Sequence, residues 1–565
     1  MIMDIKDMLR DSDKLTRKQH TISQLYTLRS QYEPTWRMLS RYINPTRGRF
    51  EEDIQSTEGH RRDEYLIDPH PQKAVGKCAA GIHSGLTSPS RPWFELGLQD
   101  EEKANYHAVR MWLDDCQEIM SSIYSKSNAY NMLQQIEAEM AQFGTGASLM
   151  LEDYNYGIWM RPYTCGEYAG GVDARGRVYT FARRFRLSAD QIVKEYGIDN
   201  VSESVKSAYK NGNITTYFDI EMLIERNDDY DPNKLALGNF PWRSYHYEKG
   251  ANDKFLKISG FRECPFLMPR WTLIANGVYG SGPGHNALGD CMQLQKIEKN
   301  KLRAIDNAAD PAMAFPASMK KLDRMPGGLN FYPDGTVQQA YPLVDPRAKA
   351  YEGIGALSEE KRRSIAETFY NDLFMMITSQ DGPQMTAREI AERHEEKLLM
   401  LSPVLEQMHN EVLEPMTLRT FDICLRHGLF PPMPEEIDKS ELKVSFISIL
   451  AQAQKMVEIP AIERTVGFVG NLAAAQPEVL DIINLDEAVR GFAESTGVKE
   501  KIVRDENEVA ELRKQRAQAQ QEQMQAEQMA AAAPAVRDYA DAARLMSETP
   551  ANGGNALDQL LGGGI

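Results

Sequence analysis

Apolar residues recur at helical spacing through Leu15, Ile22, Leu25, Leu28, Tyr32, Trp36, Leu39 and Ile43, and the pattern stops at Pro45. A one-sided stripe of that period predicts an amphipathic helix over residues 14–44. The polar run 47–70, with Arg61, Arg62, Asp63 and Glu64, predicts a loop. Helix returns from Ala74 to Leu86, where Thr87-Ser88-Pro89 ends it, and again over residues 101–139 with a break near Ser125-Lys126-Ser127-Asn128. From Gly144 to Phe185 the period shortens to runs rich in Tyr, Val and Thr, split by Gly157, Gly166, Gly170-Gly171 and Gly176, which predicts strands. A helix follows to Tyr196 with Ser188 or Asp190 near its start, then strands at Tyr217–Arg226 and Trp242–Tyr247 around the turn Asn227-Asp228-Asp229.

Gly280-Ser281-Gly282-Pro283-Gly284 opens a helix from His285 to Asn307. The prolines and glycines between Pro311 and Pro346 forbid long helices and leave short segments such as Gly328–Tyr332 and Thr336–Tyr341 for a small sheet. A second helix runs from Ser358 to about Met376, so helix, β unit and helix occur in succession. Ile390, Leu398, Leu401, Leu405, Met408, Val412, Met416 and Phe421 then predict a helix from Met385 to Gly428. Its length is on the order of 60 Å. Pro403 lies inside it and should bend it near Leu401-Ser402, because the ring nitrogen donates no hydrogen bond and its carbons crowd the preceding turn.

A strand at Leu442–Ile447 leads into helices from Ile449 to Val503, divided by Pro460 and Pro477. The Glu-, Gln- and Ala-rich stretch Glu506–Ala533 predicts helix, but its apolar anchors are Val509, Leu512, Met524 and Met529. Those are too few to bury it in its own subunit. Beyond Pro534 small and polar residues predict a mobile tail.

Composition narrows the class. A chain of 565 residues needs several domains or a multi-layered subunit. It is 42% apolar and 26% charged, with no apolar run of the roughly 18 residues that a membrane helix needs. The first residues lack the basic-then-apolar order of a signal peptide, so synthesis and residence in the cytoplasm are expected. The six cysteines lie without close pairs, which offers neither a zinc site nor a disulfide framework and suggests reduced packing residues. A net charge of −16 argues against general electrostatic gripping of nucleic acid.

Sites for chemistry are sparse. Gly280, Gly282 and Gly284 precede a helix but lack the Lys-Ser/Thr of a P-loop and the spacing of a dinucleotide fingerprint, so a hinge is the expected role. His394-Glu395-Glu396 lacks the second histidine of a zinc protease motif. Ser84 is one place late for a nucleophile elbow and stands in a helix pattern. Basic residues recur at Lys296, Lys299, Lys301, Arg303, Lys320, Lys321, Arg324, Lys361, Arg362 and Arg363. Charge runs on helices are commonly solvated faces, and otherwise they can pair with a neighbouring subunit or touch DNA phosphates without reading sequence. No catalytic cluster, cofactor site, metal site or small-molecule substrate site is expected.

Two strings are similar to one known family. Met385-Thr386-Ala387-Arg388-Glu389-Ile390, with Glu392-Arg393 and Leu401-Ser402-Pro403-Val404-Leu405-Glu406, resembles the portal (head-to-tail connecting) proteins of short-tailed bacteriophages. The string Gly81-Ile82-His83-Ser84-Gly85-Leu86-Thr87-Ser88-Pro89-Ser90-Arg91-Pro92-Trp93-Phe94 resembles the same family, and the likeness spans most of residues 20–500. It implies an α+β, mainly helical fold assembling as a ring. In family terms the parts are a wing (1–280), stem helix (281–308), clip (309–352), second stem helix (353–377), tunnel loop (378–385), long kinked wing helix (386–428), crown (429–503), C-terminal barrel-type helix (504–533) and flexible tail (534–565).

The resemblance further implies a non-enzymatic homododecamer at one vertex of the virion. Its expected partners are double-stranded DNA held without sequence preference, terminase, tail adaptor proteins, the major capsid protein and scaffolding or internal core proteins. Ser379, Gln380, Asp381, Gly382, Pro383 and Gln384 are the expected tunnel loop facing DNA. The alternative is another ring or adaptor protein of the head–tail junction.

Overall fold

The computed structural model describes residues 12–50, 64–89, 92–98, 100, 106–213, 216–233, 239–251, 254–275, 277–309, 313–314, 341–342, 350–372, 401–434, 442–446, 464–472, 476, 484–496, 504, 506–548, 550–551 and 554–555. It forms two compact units, Met1–Asn105 with Trp112–Lys455, and Tyr106–Met111 with Met456–Ile565.

In the first unit the chain begins with helices α1 (Ser12–Ser30), α2 (Glu33–Tyr42), α3 (His70–Leu86), strand β1 (Phe94–Leu98), α4 (His107–Lys126, which also supplies the short piece of the second unit) and α5 (Ala129–Phe143). The hairpin β2 (Ala147–Asp153) and β3 (Gly157–Tyr163) turns where Asp153 Oδ1 accepts from the backbone of Asn155 and Tyr156 at 2.9 and 2.8 Å. Strands β4 (Tyr168–Val172) and β5 (Val178–Ser188) follow, then α6 (Ala189–Tyr196) and α7 (Glu203–Lys210). Strands β6 (Tyr217–Arg226), β7 (Trp242–Glu248) and β8 (Lys257–Phe261) complete an antiparallel sheet in the order β4-β5-β6-β7-β8. A short β9 (Phe266–Leu267) pairs with β2 in a separate three-stranded sheet.

Alternation along the five-stranded sheet decides what covers it. On one face Ala182, Leu223, Tyr245 and Tyr247 pack against Leu15, Ile22, Leu25 and Tyr26 of α1. On the other, Ile220 packs with Ile192 of α6 and Val205 of α7. Both small helices begin at serine caps: Ser188 and Gln191 form a reciprocal capping box, and Ser202 accepts from the backbone of Val205. The guanidinium of buried Arg29 secures α1 by donating to the carbonyls of Gly166 at 2.6 Å and Tyr168 at 3.2 Å.

The rest of the unit comprises α8 (Pro283–Ala309), the paired dipeptides β10 (Met313–Ala314) and β11 (Tyr341–Pro342), α9 (Ala350–Thr368), and helix over 401–426. That last helix has a π turn at His409–Leu413 followed by α10 (Glu414–Arg426). Pro415 explains it: with no N–H to give the Glu411 carbonyl, the ladder loosens and Glu414 donates to the His409 carbonyl instead. Pro403, the expected kink, lies in helix at 401–408, and the residues before 401 lie outside those described. Strand β12 (Leu442–Phe446) pairs with β1 from Phe94↔Phe446 to Leu98↔Leu442, although β1 lies far back in the chain.

Two ends differ from the sequence expectation. Helix α9 breaks after Thr368, inside the span expected to run to about 376, where Tyr370 adopts a φ of 55° and stacks on Trp271 with ring centroids 6.3 Å apart; helix resumes at 371–372, and residues 373–376 lie outside those described. In the second unit, after helix at 464–472 and α11 (Leu485–Thr496), α12 (Glu506–Glu548) runs on past the end expected at 533. Pro534 removes a single donor from a run otherwise made of strong helix formers. Within that unit Arg513 binds Asp486 through two 2.7 Å contacts.

Leu223 is fully buried between sheet and α1. Its replacement by alanine should lower unfolding stability by about 2–5 kcal/mol, read from the urea midpoint.

Candidate functional site

The glycine run before α8 is a point of close backbone approach. A Cβ on Gly284 would stand 2.2 Å from the Gln142 carbonyl oxygen, and one on Gly282 would stand 2.5 Å from that of Met140. Gly144, which ends α5 at a φ of 76°, and Gly280 meet so closely that a Cβ on either would fall within 2.4 Å of the other's carbonyl oxygen. Around this crossing Trp271 N donates to Gly144 O at 2.8 Å, and Gly280 N to Thr145 Oγ1 at 2.9 Å. What the glycines face are carbonyls at the C-terminal end of α5, the negative pole of a helix. That environment repels an anion, so the GxGxG run is a packing root rather than a phosphate cradle.

From this root α8 runs out and α9 returns along it, with α8 also resting on α2 and α5 and α9 on α3. Ala287, Cys291, Leu294 and Gln295 form the buried side of α8, and Ser358, Ile365 and Phe369 that of α9. Polar clamps then fix their register. Asp290 accepts from Ser364 Oγ at 2.6 Å and Lys361 Nζ at 2.9 Å, and the serine hydroxyl with the ammonium holds its carboxyl below the ordinary range. Arg362 bonds Asp68 at 2.8 Å, Glu298 at 3.0 Å and Glu359 at 2.9 Å. Gln295 accepts from the backbone of Ile67 and Asp68 and donates to the Asp68 carbonyl, while Asp68 Oδ1 accepts from His70 N at the start of α3. One segment is thereby sewn to both long helices.

The basic residues of these helices separate into two groups. Arg362 is held by three carboxylates of its own chain, and Lys301 lies 3.5 Å from Glu298. Both are therefore paired within their own chain, Arg362 being the expected phosphate or intersubunit contact with the most internal partners. Lys296, Lys299, Arg303 and Arg363 are exposed and form no ion pair with any described residue. Lys320, Lys321, Arg324 and the loop residues Ser379, Gln380, Asp381, Gly382, Pro383 and Gln384 lie outside the described residues, as does His394-Glu395-Glu396.

A second anchor lies at the π turn. Glu411 accepts from the backbone N of Arg270 at 2.8 Å and from its Nε at 3.0 Å, and that guanidinium also reaches the Gly277 carbonyl at 3.3 Å. Arg419, largely buried, donates to Glu263 at 2.9 Å, and Arg426 binds Glu263 and Glu152. These pairs tie the last turns of the long helix to the strand segments next to the root. Sequence periodicity located Pro403 but not Pro415, whose position four residues after Glu411 was the available signal.

The described residues of the string 81–94 make packing contacts. Ser84 Oγ donates to the Gly81 carbonyl within α3 at 3.0 Å and stands on no strand-to-helix elbow. His83 lies with Nδ1 3.0 Å from Thr87 Oγ1 and 3.4 Å from the fully buried Glu137 carboxylate of α5. Trp93 is buried and donates to Tyr130 Oη at 3.3 Å. All six cysteines are free thiols, and five are buried. Burial pushes the Cys291 thiol up to about 12. Among the described residues no group of His, Cys, Asp and Glu could hold a metal, and no helix is long and apolar enough to cross a membrane.

Burial raises the Glu137 carboxyl to about 7, with His83 and Thr87 pulling the other way. The folded state therefore binds this proton more tightly than the unfolded chain, and stability should fall as pH rises from about 4.5 through about 7. Urea midpoints across that range should fall less steeply with pH for Glu137→Gln than for the parent; equal slopes would assign the dependence elsewhere.

Residues 16–503 match the family described as bacteriophage head to tail connecting protein. The probable portal protein of Bordetella phage BPP-1 is 37% identical over 505 residues, 88% of this chain and 90% of that protein. The portal protein of Salmonella phage epsilon15 is 35% identical over 554 residues, 96% of this chain and 97% of that one. A chain from the virion of a native gene transfer agent particle superimposes with a TM-score of 0.31 at 9% identity, over 71% of this chain and 86% of that one.

Proposed function

The chain belongs to the bacteriophage head-to-tail connecting family, the portal proteins, and we propose that it closes with copies of itself into a homododecameric ring at one capsid vertex. The ring's channel passes double-stranded DNA during packaging and ejection. Portal proteins are structural components of the virion, and the role of this chain is structural in the same sense. On this reading the ring receives terminase while the head fills and tail adaptor proteins afterwards, and it meets the major capsid and scaffolding or internal core proteins around its rim.

The observation that carries this reading within the fold is the helix pair. Helices α8 and α9 bracket the residues that carry the β10–β11 pair and are bolted to each other by Asp290, Glu298 and Arg362. A stiff out-and-back pair fixed at a glycine root suits a channel wall that must keep its geometry while a duplex slides past. The negative net charge of the chain suits the same task, since a duplex moves freely where the surrounding potential does not bind it.

Native mass spectrometry of the purified full chain, with particle images, tests the proposal: rings of about twelve subunits with a central hole are expected, and a monomer persisting at high concentration would overturn it. We further propose that residues 378–385 face the duplex. Replacing Gln380 and Asp381 by alanine should change DNA retention in filled heads while ring assembly stays as in the parent, and unchanged retention would remove the loop from the mechanism.

A further inference from the structure

The outer faces of the helix pair are charged in opposite senses. On α8 the residues Met292, Lys296, Lys299 and Arg303 are spaced to share one stripe, turned away from the buried side formed by Ala287, Cys291 and Leu294. Its three cations have no partner among the described residues. On α9 the stripe opposite Ile365 contains Gly353, Ala356, Glu360, Arg363 and Glu367, all exposed or half-exposed. Arg363 stands three residues after Glu360 and four before Glu367, so its own helix can neutralise it. Beside that stripe Arg362 is surrounded by Asp68, Glu298 and Glu359, which leaves carboxylate in excess, with the Glu359 side chain 67% exposed.

One helix thus offers unpaired cations and the other a face on which carboxylates outnumber cations, and the two faces cannot meet within one chain because α8 and α9 already pack through their opposite sides. We propose that they meet between copies: the Lys296, Lys299 and Arg303 face of α8 in one subunit lies against the Glu360 and Glu367 face of α9 in the next. This rests on the ring reading above and says what its subunit seam is made of. The contact is heterologous, one patch against a different patch, which is the kind that repeats head to tail until a ring closes. It also takes these three cations out of the channel and gives them to the seam.

The antiparallel pairing limits the mismatch in height. Asp290 meets Lys361 and Ser364, so Glu360 stands opposite residues 291–294, and Lys296 lies about one helical turn along, a distance that its long side chain spans. Gly353 and Gly355 have nothing within 4 Å of where a Cβ would stand, so open space remains at that end of α9.

Charge reversal separates the outcomes. A chain carrying Lys296→Glu, Lys299→Glu and Arg303→Glu presents acid on both faces, and one carrying Glu360→Lys and Glu367→Lys presents base on both. Each alone should need about tenfold or more protein to form rings by native mass spectrometry, because like charges would face each other at every seam. Mixing the two variants should restore rings in which they alternate, and a single chain with all five changes should form rings by itself. That restoration distinguishes a seam from a folding defect, which circular dichroism melting of each variant also reports.

Rings from either single-face variant at parental concentration, or no restoration on mixing and in the combined chain, would overturn the seam while leaving the ring standing. A parental chain that never forms rings would overturn the ring reading itself, and the seam with it.

Discussion

The approach of the Gly280–Gly284 backbone to the carbonyl end of α5 is the constraint on which the first unit turns. At this crossing each chain occupies the space where the other would carry a side chain, and a single Cβ at Gly144, Gly280, Gly282 or Gly284 would fall inside van der Waals contact with a backbone oxygen. The crossing sets where α8 leaves the strand segments and in what direction. Everything beyond it along α8 and α9 takes its position from those few ångströms. Main-chain bonds from Trp271 to Gly144 and from Gly280 to the Thr145 hydroxyl close the root from both sides.

Electrostatics then turns a packed pair of helices into a defined one. Apolar contact between α8 and α9 is nearly indifferent to small slides, whereas Asp290 with Ser364 and Lys361, and Arg362 with Asp68 and Glu298, satisfy one register. Half-buried ion pairs add modest stability because desolvation offsets much of their attraction. Their larger effect is to make alternatives costly, since a slide would strand charges away from partners. The same logic operates at the long helix, where Pro415 opens a π turn and Arg270 grips the glutamate placed there. The result is a frame in which the charges at the joints are satisfied internally and those on the outer stripes of the helix pair are left for something else.

Much of this frame was legible from local pattern. The break at Ser125–Asn128, the strands at 217–226 and 242–247 and the serine start of α6 follow from side-chain period and turn chemistry within a few residues, whereas the stripe at Leu15–Ile43, expected as one helix, is split into α1 and α2 at Gln31-Tyr32. Less legible were β1 and α7, which are short and carry weak periodicity, and the Phe94–Leu98 strand gains its identity only by pairing with Leu442–Phe446. The break after Thr368 was not legible because a tyrosine adopts a left-handed conformation there against the Trp271 ring, a cost that no local pattern announces. The continuation of α12 through Pro534 shows the opposite error, a breaker overruled by its helix-forming neighbours.

By itself the sequence determined the order and kind of the elements, the family, the acidic balance and the succession of helix, small β unit and helix, because those depend on composition and on spacing along the chain. Only the tertiary structure decided what the glycines are for, which arginine is neutralised and which lysines stand open. A glycine reads the same whether a phosphate or a helix's carbonyl end lies beside it. Arg362 and Arg363 are adjacent and chemically identical, yet one points into three carboxylates and the other away from them. The difference arises from Asp68 and Glu298, brought there by chain segments remote in sequence, and contacts of that range leave no local trace for periodicity to detect.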